Sequence, residues 1–197
     1  MKRFVLASQS PIRAKMLRQA GLVVEVRPAG LDERELERGL PGSTDPGAVA
    51  LYLAEEKAKT VSRSHPEAIV IGADQTLALD GQRFSKAASL KAARTTLMRL
   101  RGRSHHLHSA FAIAMEGEVR HSGVATASLK MRAFSARALD DYLAQAGAAV
   151  LSSVGCYQME GLGISLFEAM DGDYFTILGL PLLPLLASLR DLGLARD

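Results

Sequence analysis

Apolar residues along the chain fall into two patterns, short continuous runs and stretches spaced at three and four residues, which predicts buried strands interleaved with helices. Arg3-Phe4-Val5-Leu6-Ala7 suits a buried strand. Ser10-Pro11 then starts a helix, with Ser as N-cap and Pro in the first turn, where its missing N–H costs nothing. That helix runs to about Ala20, buries Met16 and Leu17, and stops at Gly21. Val23 to Val26 predicts a second strand. Gly30 to Pro46 is polar, holds Gly and Pro, lacks apolar periodicity and reads as a loop. Pro46 to Val61 predicts a helix with Val49, Leu53 and Ala54 on one face. Ala68 to Ala73 predicts a strand, and Asp80-Gly81 a hairpin turn after Thr76 to Leu79. Ser89 caps a helix to about Leu100, ended by Gly102. Two long strands flank Glu116-Gly117. Ser135 caps a helix carrying Leu139, Tyr142 and Leu143 that stops at Gly147. A glycine-rich stretch (Gly155, Gly161, Gly163), a short strand near Leu166 and a helix from Pro181 to Leu192 follow. Strands alternating with helices predict an α/β fold, and the central hairpin makes its sheet mixed rather than purely parallel.

Composition narrows the class. The 197 residues are 48% hydrophobic, with 24 basic and 21 acidic side chains and a net charge of +3. That suits one domain, and excludes a disordered, collagen-like or disulfide-framework chain. No apolar run is long enough to span a bilayer. Met1-Lys2-Arg3 followed by Phe4 to Ala7 starts as a signal peptide does, but an apolar part of about four residues is too short for one. A cytoplasmic location is expected, and the single Cys156 agrees, since one thiol forms no internal disulfide. Aromatics are 5% and Trp is absent. No basic stripe with interleaved aromatics marks a nucleic-acid surface. A small anionic substrate fits the charge balance.

Several side chains could carry chemistry. Ser8, Ser10 and Arg13 surround a predicted helix N-terminus, whose free N–H groups and dipole favour anions; the same residues also read as a capped helix with a solvated arginine. The Gly-Lys-Ser/Thr ending of a P-loop is missing. Asp74 follows the apolar run at what reads as a strand exit, where α/β proteins place metal ligands and general bases, or simply a turn aspartate. Lys57 and Lys86 are single lysines of the kind that are usually solvated. His105, His106 and His108 begin a predicted strand, with His105 on the face opposite the other two, and read as a surface cluster more readily than as a zinc site. Glu160 stands in a glycine-rich turn.

Taken in order, these blocks resemble the Maf family of nucleoside triphosphate pyrophosphatases. The resemblance rests on Leu6-Ala7-Ser8-Gln9-Ser10-Pro11-Ile12-Arg13, Asp32-Glu33, Glu56-Lys57-Ala58, Val70-Ile71-Gly72-Ala73-Asp74-Gln75 and Lys86. It continues through Leu100-Arg101-Gly102-Arg103-Ser104-His105, Gly155-Cys156-Tyr157-Gln158-Met159-Glu160-Gly161, Gly172-Asp173-Tyr174-Phe175 and Gly179-Leu180-Pro181-Leu182. It implies one Maf-like domain over residues 1–197: a two-lobed α/β structure around a long mixed, twisted sheet, with the substrate in the cleft between lobes. It further implies hydrolysis of a nucleoside triphosphate to monophosphate and pyrophosphate with a divalent metal, Mg²⁺ or Mn²⁺, clearing non-standard nucleotides. By the resemblance, Asp74 is the proton acceptor or a metal ligand with Glu33, and Ser8, Ser10, Arg13, Lys57 and Lys86 bind phosphate. The branch acting on dTTP and UTP has Arg, Thr and Gln where this chain has Ile12, Gln75 and Glu160. Gln75 and Glu160 are similar to the 7-methyl-GTP branch, and a carboxylate can accept from both N–H donors of a guanine edge. Ser85-Lys86-Ala87 stands where the family usually has Gly-Lys-Pro, and Ser152-Ser153-Val154 where many members have Asp-Lys-Ala. A small-molecule nucleotide is the expected partner rather than nucleic acid or membrane, and a homodimer is common in the family. The rival reading is a non-catalytic nucleotide- or nucleic-acid-binding regulator of cell division that inhibits septum formation. It would keep the cations without needing Asp74.

Overall fold

The computed structural model describes residues 3–194, so Met1 and Lys2 of the signal-like start lie outside the described residues. In chain order the elements are β1 (Phe4–Ala7), α1 (Pro11–Gln19), β2 (Val24–Val26), α2 (Glu33–Arg38), α3 (Pro46–Ser64), β3 (Ile69–Leu79), β4 (Gln82–Phe84) and α4 (Leu90–Leu100). Then come β5 (Ser104–Met115), β6 (Glu118–Met131), α5 (Ala136–Ala146), two 3₁₀ segments (Gly147–Ser152 and Leu162–Leu166), β7 (Phe167–Asp171), α6 (Tyr174–Ile177) and α7 (Leu182–Asp191). Among the described residues, seven strands form one mixed sheet in the order β2-β1-β3-β5-β6-β7, with β4 paired to β3 beside the main path. The β2-β1-β3 part is parallel and the rest antiparallel.

Side chains alternate across β3 and assign its two faces. Ile69, Ile71 and Ala73 join Phe4, Leu6 and Phe111 under α1 and α7, whereas Leu77 and Leu79 join a second cluster with α4, α5 and Tyr157. Gln75 lies between those two cores. The other face is covered by α3. Ala50, Ala54 and Ala58 pack on Ala110, Ala112 and Ala114, and a Cβ at Gly72 would lie 2.1 Å from the Ala54 carbonyl oxygen. Small residues on both sides let helix and sheet backbones approach closely.

Two expectations need correction. The stretch from Gly30 to Pro46 is not all loop: it contains α2, capped by the Asp32 side chain on the Glu35 N–H, with Glu33 in its first turn and Arg38 in its last. Capping and dipole-matched charges hold this helix. It buries no residue, so it leaves no apolar period to detect. Asp74 is not at a strand exit either. β3 runs unbroken through Asp74-Gln75, because β5 pairs with it continuously from Val70 to Ala78. The short α6, capped by Asp173 on the Thr176 N–H, has no counterpart in the expected elements. No helix among the described residues is long and apolar enough to cross a membrane.

Candidate functional site

β1 pairs with β3 as far as Ala7–Gly72, and β4 joins the same edge of β3 only from Leu77. Between them that edge has no strand partner. β1 lies between β2 and β3 in the sheet, so the gap opens at the carboxyl end of β1, where the chain order reverses. Open α/β sheets bind ligands at such switch points. The N-terminus of α1 follows directly, with the Ser10 hydroxyl oxygen capping it by accepting from the Arg13 N–H.

Asp74 faces α3 from one side of the strand. Its Oδ1 accepts a 2.6 Å hydrogen bond from Lys57 Nζ, and Lys57 also lies 2.7 Å from Glu33 Oε1 at the start of α2. Asp74 and Lys57 are both buried, while Glu33 is exposed. Asp74 Oδ2 has no hydrogen-bond partner among the described residues. Burial pushes the Asp74 carboxyl above the usual carboxylate range, against the pull of Lys57 and Arg13. Lys57 follows Val49 and Leu53 at four-residue spacing on the buried stripe of α3, which is how a helix otherwise packed with small apolar residues delivers one cation to the sheet.

Arg13 reaches the gap from α1. Its Nη1 donates to Ser8 Oγ and to the Ala73 carbonyl, both at 2.9 Å, and its Nε donates to the Gly179 carbonyl at 2.8 Å. Three N–H groups thus tie together the β1–α1 loop, β3 and the α6–α7 loop, leaving the Nη2 donors for a ligand. Burial lowers the Arg13 pKa, opposed by the nearby charges of Asp74 and Glu33. The Ser8 hydroxyl accepts from Arg13 and from the Ser10 N–H, so its own proton remains available. Gln75 points to the other side of the strand, where its Nε2 donates to Ser109 Oγ at 3.0 Å and to the carbonyls of Thr176 and Ile177 at 3.2 and 3.1 Å.

The structure thus gathers Ser8, Ser10, Arg13, Glu33, Lys57, Asp74 and Gln75 around one gap. It places three other expected residues less centrally. Lys86 and Glu160 are exposed and make no hydrogen bond or ion pair with the cluster, and Ile12 is half-buried beside Arg13 on α1. Ser109 and Gly179 were missed as site residues. Ser109, a lone hydroxyl before the apolar Ala110 to Ala114 segment, is fully buried. The histidines divide by strand alternation as expected, but they do not form a surface cluster. His105 is fully buried, with Nε2 2.7 Å from the Tyr157 hydroxyl oxygen, while His106 and His108 share the other face.

A buried carboxylate, two cations and a helix N-terminus at a sheet switch point define an α/β protein able to hold an anionic ligand. The chain belongs to the Maf family: the model described as Maf-like protein matches residues 3–192. It is 50% identical over 193 residues to a 7-methyl-GTP pyrophosphatase of Mesorhizobium japonicum, covering 98% of this chain and 97% of that one. It is 48% identical over 190 residues to a 7-methyl-GTP pyrophosphatase of Rhizobium meliloti, covering 96% of each. It is also 47% identical to a nucleoside triphosphate pyrophosphatase of Maricaulis maris over the full length of both. Among solved structures, the Ham1 protein of Staphylococcus aureus aligns with a TM-score of 0.42 at 18% identity, covering 67% of this chain and 73% of that one.

Proposed function

We propose that the protein hydrolyses a nucleoside triphosphate to the monophosphate and pyrophosphate in the gap beside β3, with 7-methyl-GTP as the favoured substrate. The observation that carries this reading is Asp74: a buried carboxylate, held by Lys57 through one oxygen, with the charge of Arg13 nearby and no hydrogen bond to its other oxygen among the described residues. The names of the Mesorhizobium and Rhizobium relatives support the nucleotide.

In this reading Arg13 Nη2, Lys57, the Ser8 and Ser10 hydroxyls and the α1 N–H groups bind the phosphate chain. Lys86, exposed and without a partner among the described residues, is assigned to its far end. Asp74 Oδ2 takes a proton from the water that attacks the α-phosphorus; a raised pKa makes a carboxylate the better base. Glu160, exposed and without a partner among the described residues, accepts from the N1–H and exocyclic amine of the guanine.

The residues fit a divalent ion completed by the substrate. Asp74 and Glu33 converge on one ammonium, and no group of three or more His, Cys, Asp or Glu among the described residues is placed to hold a metal without help. Mg²⁺ is commonly held in this way, by one or two carboxylates plus substrate phosphates and water. Asp74 and Glu33 would hold Mg²⁺ or Mn²⁺, which supplies neutralisation of the leaving pyrophosphate. The cytoplasm, the location of the nucleotide pool, and a homodimer complete the proposal.

The test is pyrophosphate release from 7-methyl-GTP, GTP, dTTP and UTP with Mg²⁺ or Mn²⁺. The methylated guanine nucleotide is expected to lead, and Asp74→Asn is expected to abolish turnover while nucleotide binding persists. Preference for dTTP or UTP discards the specificity argument and keeps the activity. Orthophosphate as first product, or full turnover by Asp74→Asn, overturns the reading.

A further inference from the structure

We propose that Ser109 is a positioning residue that, together with the Thr176 and Ile177 carbonyls, holds the Gln75 amide with its oxygen toward the nucleotide; this rests on reading the gap beside β3 as the nucleotide site. The two ends of a glutamine amide differ only in their hydrogen-bonding chemistry, and here the surroundings dictate the choice. The carbonyls of Thr176 and Ile177 can only accept, so the amide end at 3.2 and 3.1 Å from them must be the NH₂. Ser109 completes the constraint. Its hydroxyl donates to the Thr176 carbonyl at 2.7 Å, which uses its one proton and leaves only lone pairs for Gln75 Nε2 at 3.0 Å. A flipped amide would set its oxygen against two carbonyls and a hydroxyl that has no hydrogen left to give.

The consequence lies at the other end of the side chain. Gln75 Oε1 receives no hydrogen bond from the described residues. It borders the small space kept open by Gly179: a Cβ there would lie 3.6 Å from Gln75 Oε1 and 3.4 Å from Arg13 Nη2. Gly179 has a φ of +99°, a conformation that side chains rarely adopt, so the space persists. An acceptor and a donor, both without partners among the described residues, therefore flank one opening. Such a pair recognises a substrate edge that carries an N–H or O–H beside an acceptor oxygen. Ser109 touches no substrate; it holds the acceptor in place.

The experiment is a double-mutant cycle of Ser109→Ala and Gln75→Ala on the full chain, read as KM and kcat for the best triphosphate of the panel, with Tm as control. Ser109→Ala is expected to raise KM roughly fivefold to tenfold, the scale of one lost hydrogen bond at a binding group, with kcat within about twofold. In the Gln75→Ala background the same substitution is expected to change KM no further, since coupled residues are non-additive. Ser109→Cys, which keeps a weak donor and acceptor, recovers part of the loss and serves as the test should Ser109→Ala fail to fold. An unchanged KM in Ser109→Ala, or an equal loss in both backgrounds, overturns the proposal. No turnover by the unaltered protein on any triphosphate overturns the proposed activity instead, so the two failures are distinct.

Discussion

Gly72→Ala tests whether the site depends on the spacing between α3 and the sheet. The added Cβ would meet the Ala54 carbonyl oxygen at 2.1 Å, the Ala58 nitrogen at 2.8 Å and the Ala58 Cβ at 2.9 Å. Two of these obstacles are helix backbone, which has no rotamer to change. Reaching an ordinary contact of about 3.4 Å requires α3 and β3 to part by about 1.3 Å, and overpacking of this kind costs roughly 1–3 kcal/mol. With a rigid backbone in the way, the upper end applies. For a chain of this size about 3 kcal/mol lowers Tm by roughly 6–12 °C. The same displacement reaches the chemistry, because Ala54 and Ala58 flank Lys57 on α3 and Asp74 is two residues from Gly72. A separation that carries Lys57 Nζ away from its 2.6 Å contact with Asp74 is expected to lower kcat/KM about 100-fold, the scale of an ångström-sized misplacement. Thermal unfolding and steady-state kinetics on one preparation measure both effects. A Tm within 2 °C of the parent (about 1 kcal/mol or less) together with unchanged kcat/KM refutes the argument from helix–sheet spacing.

Lys57→Met leaves Asp74 buried without its partner; the expected loss is about 3 kcal/mol, the range for breaking a buried pair from one side. Asp74 then relieves itself by taking a proton. Its folded pKa stands above the unfolded value, so the deficit is small below the carboxylate range and grows as pH rises, which urea melts at pH 5 and pH 8 would show; equal deficits refute it. His105 works in the opposite direction. Burial lowers its pKa from 6.5 to about 4, so its neutral form contributes stability that is complete above pH 6.5 and lost as pH falls toward 4. Two and a half units correspond to about 3 kcal/mol, and His105→Gln is expected to flatten that part of the stability–pH profile. EDTA is expected to stop turnover and leave Tm unchanged, since Lys57 already pairs with both carboxylates; a large fall in Tm would point to a structural ion instead.

Elements that announce themselves locally were legible in the sequence. Ser10, Ser89 and Ser135 cap their helices as their spacing implied. Both Asp80-Gly81 and Glu116-Gly117 turn with positive φ at each residue, as tight hairpins require. What stayed hidden depends on distant partners. α2 buries nothing, so its sequence carries no apolar rhythm. The polar pair Asp74-Gln75 resembles a strand end until β5 is seen to run alongside it. Lys57 did leave a signal, a lysine at four-residue spacing from Val49 and Leu53 and before Val61, all buried. Ser109 left almost none, because a hydroxyl beside an apolar strand segment gains its meaning only when α6, more than sixty residues later, presents a carbonyl to it.

Stability alone does not account for the Asp74–Lys57 pair. A buried ion pair loses hydration on both sides, and well-packed apolar residues of similar volume are often as stable or more so. The surrounding packing could supply them, since the same face of β3 already buries Val70 and places Gly72 against alanines of α3. The arrangement makes sense when charge is counted. Lys57 and Arg13 contribute two positive charges, and Asp74 and Glu33 two negative ones, so the cluster is neutral at rest. A triphosphate entering it adds several negative charges in a setting of low dielectric, where uncompensated charge is most costly. In the proposed reading Lys86 adds one more cation, which still leaves an excess of negative charge. A divalent ion arriving with the phosphates is the remaining source of compensation, which is why the proposed mechanism requires one, and why turnover is expected to fail without it while the fold persists.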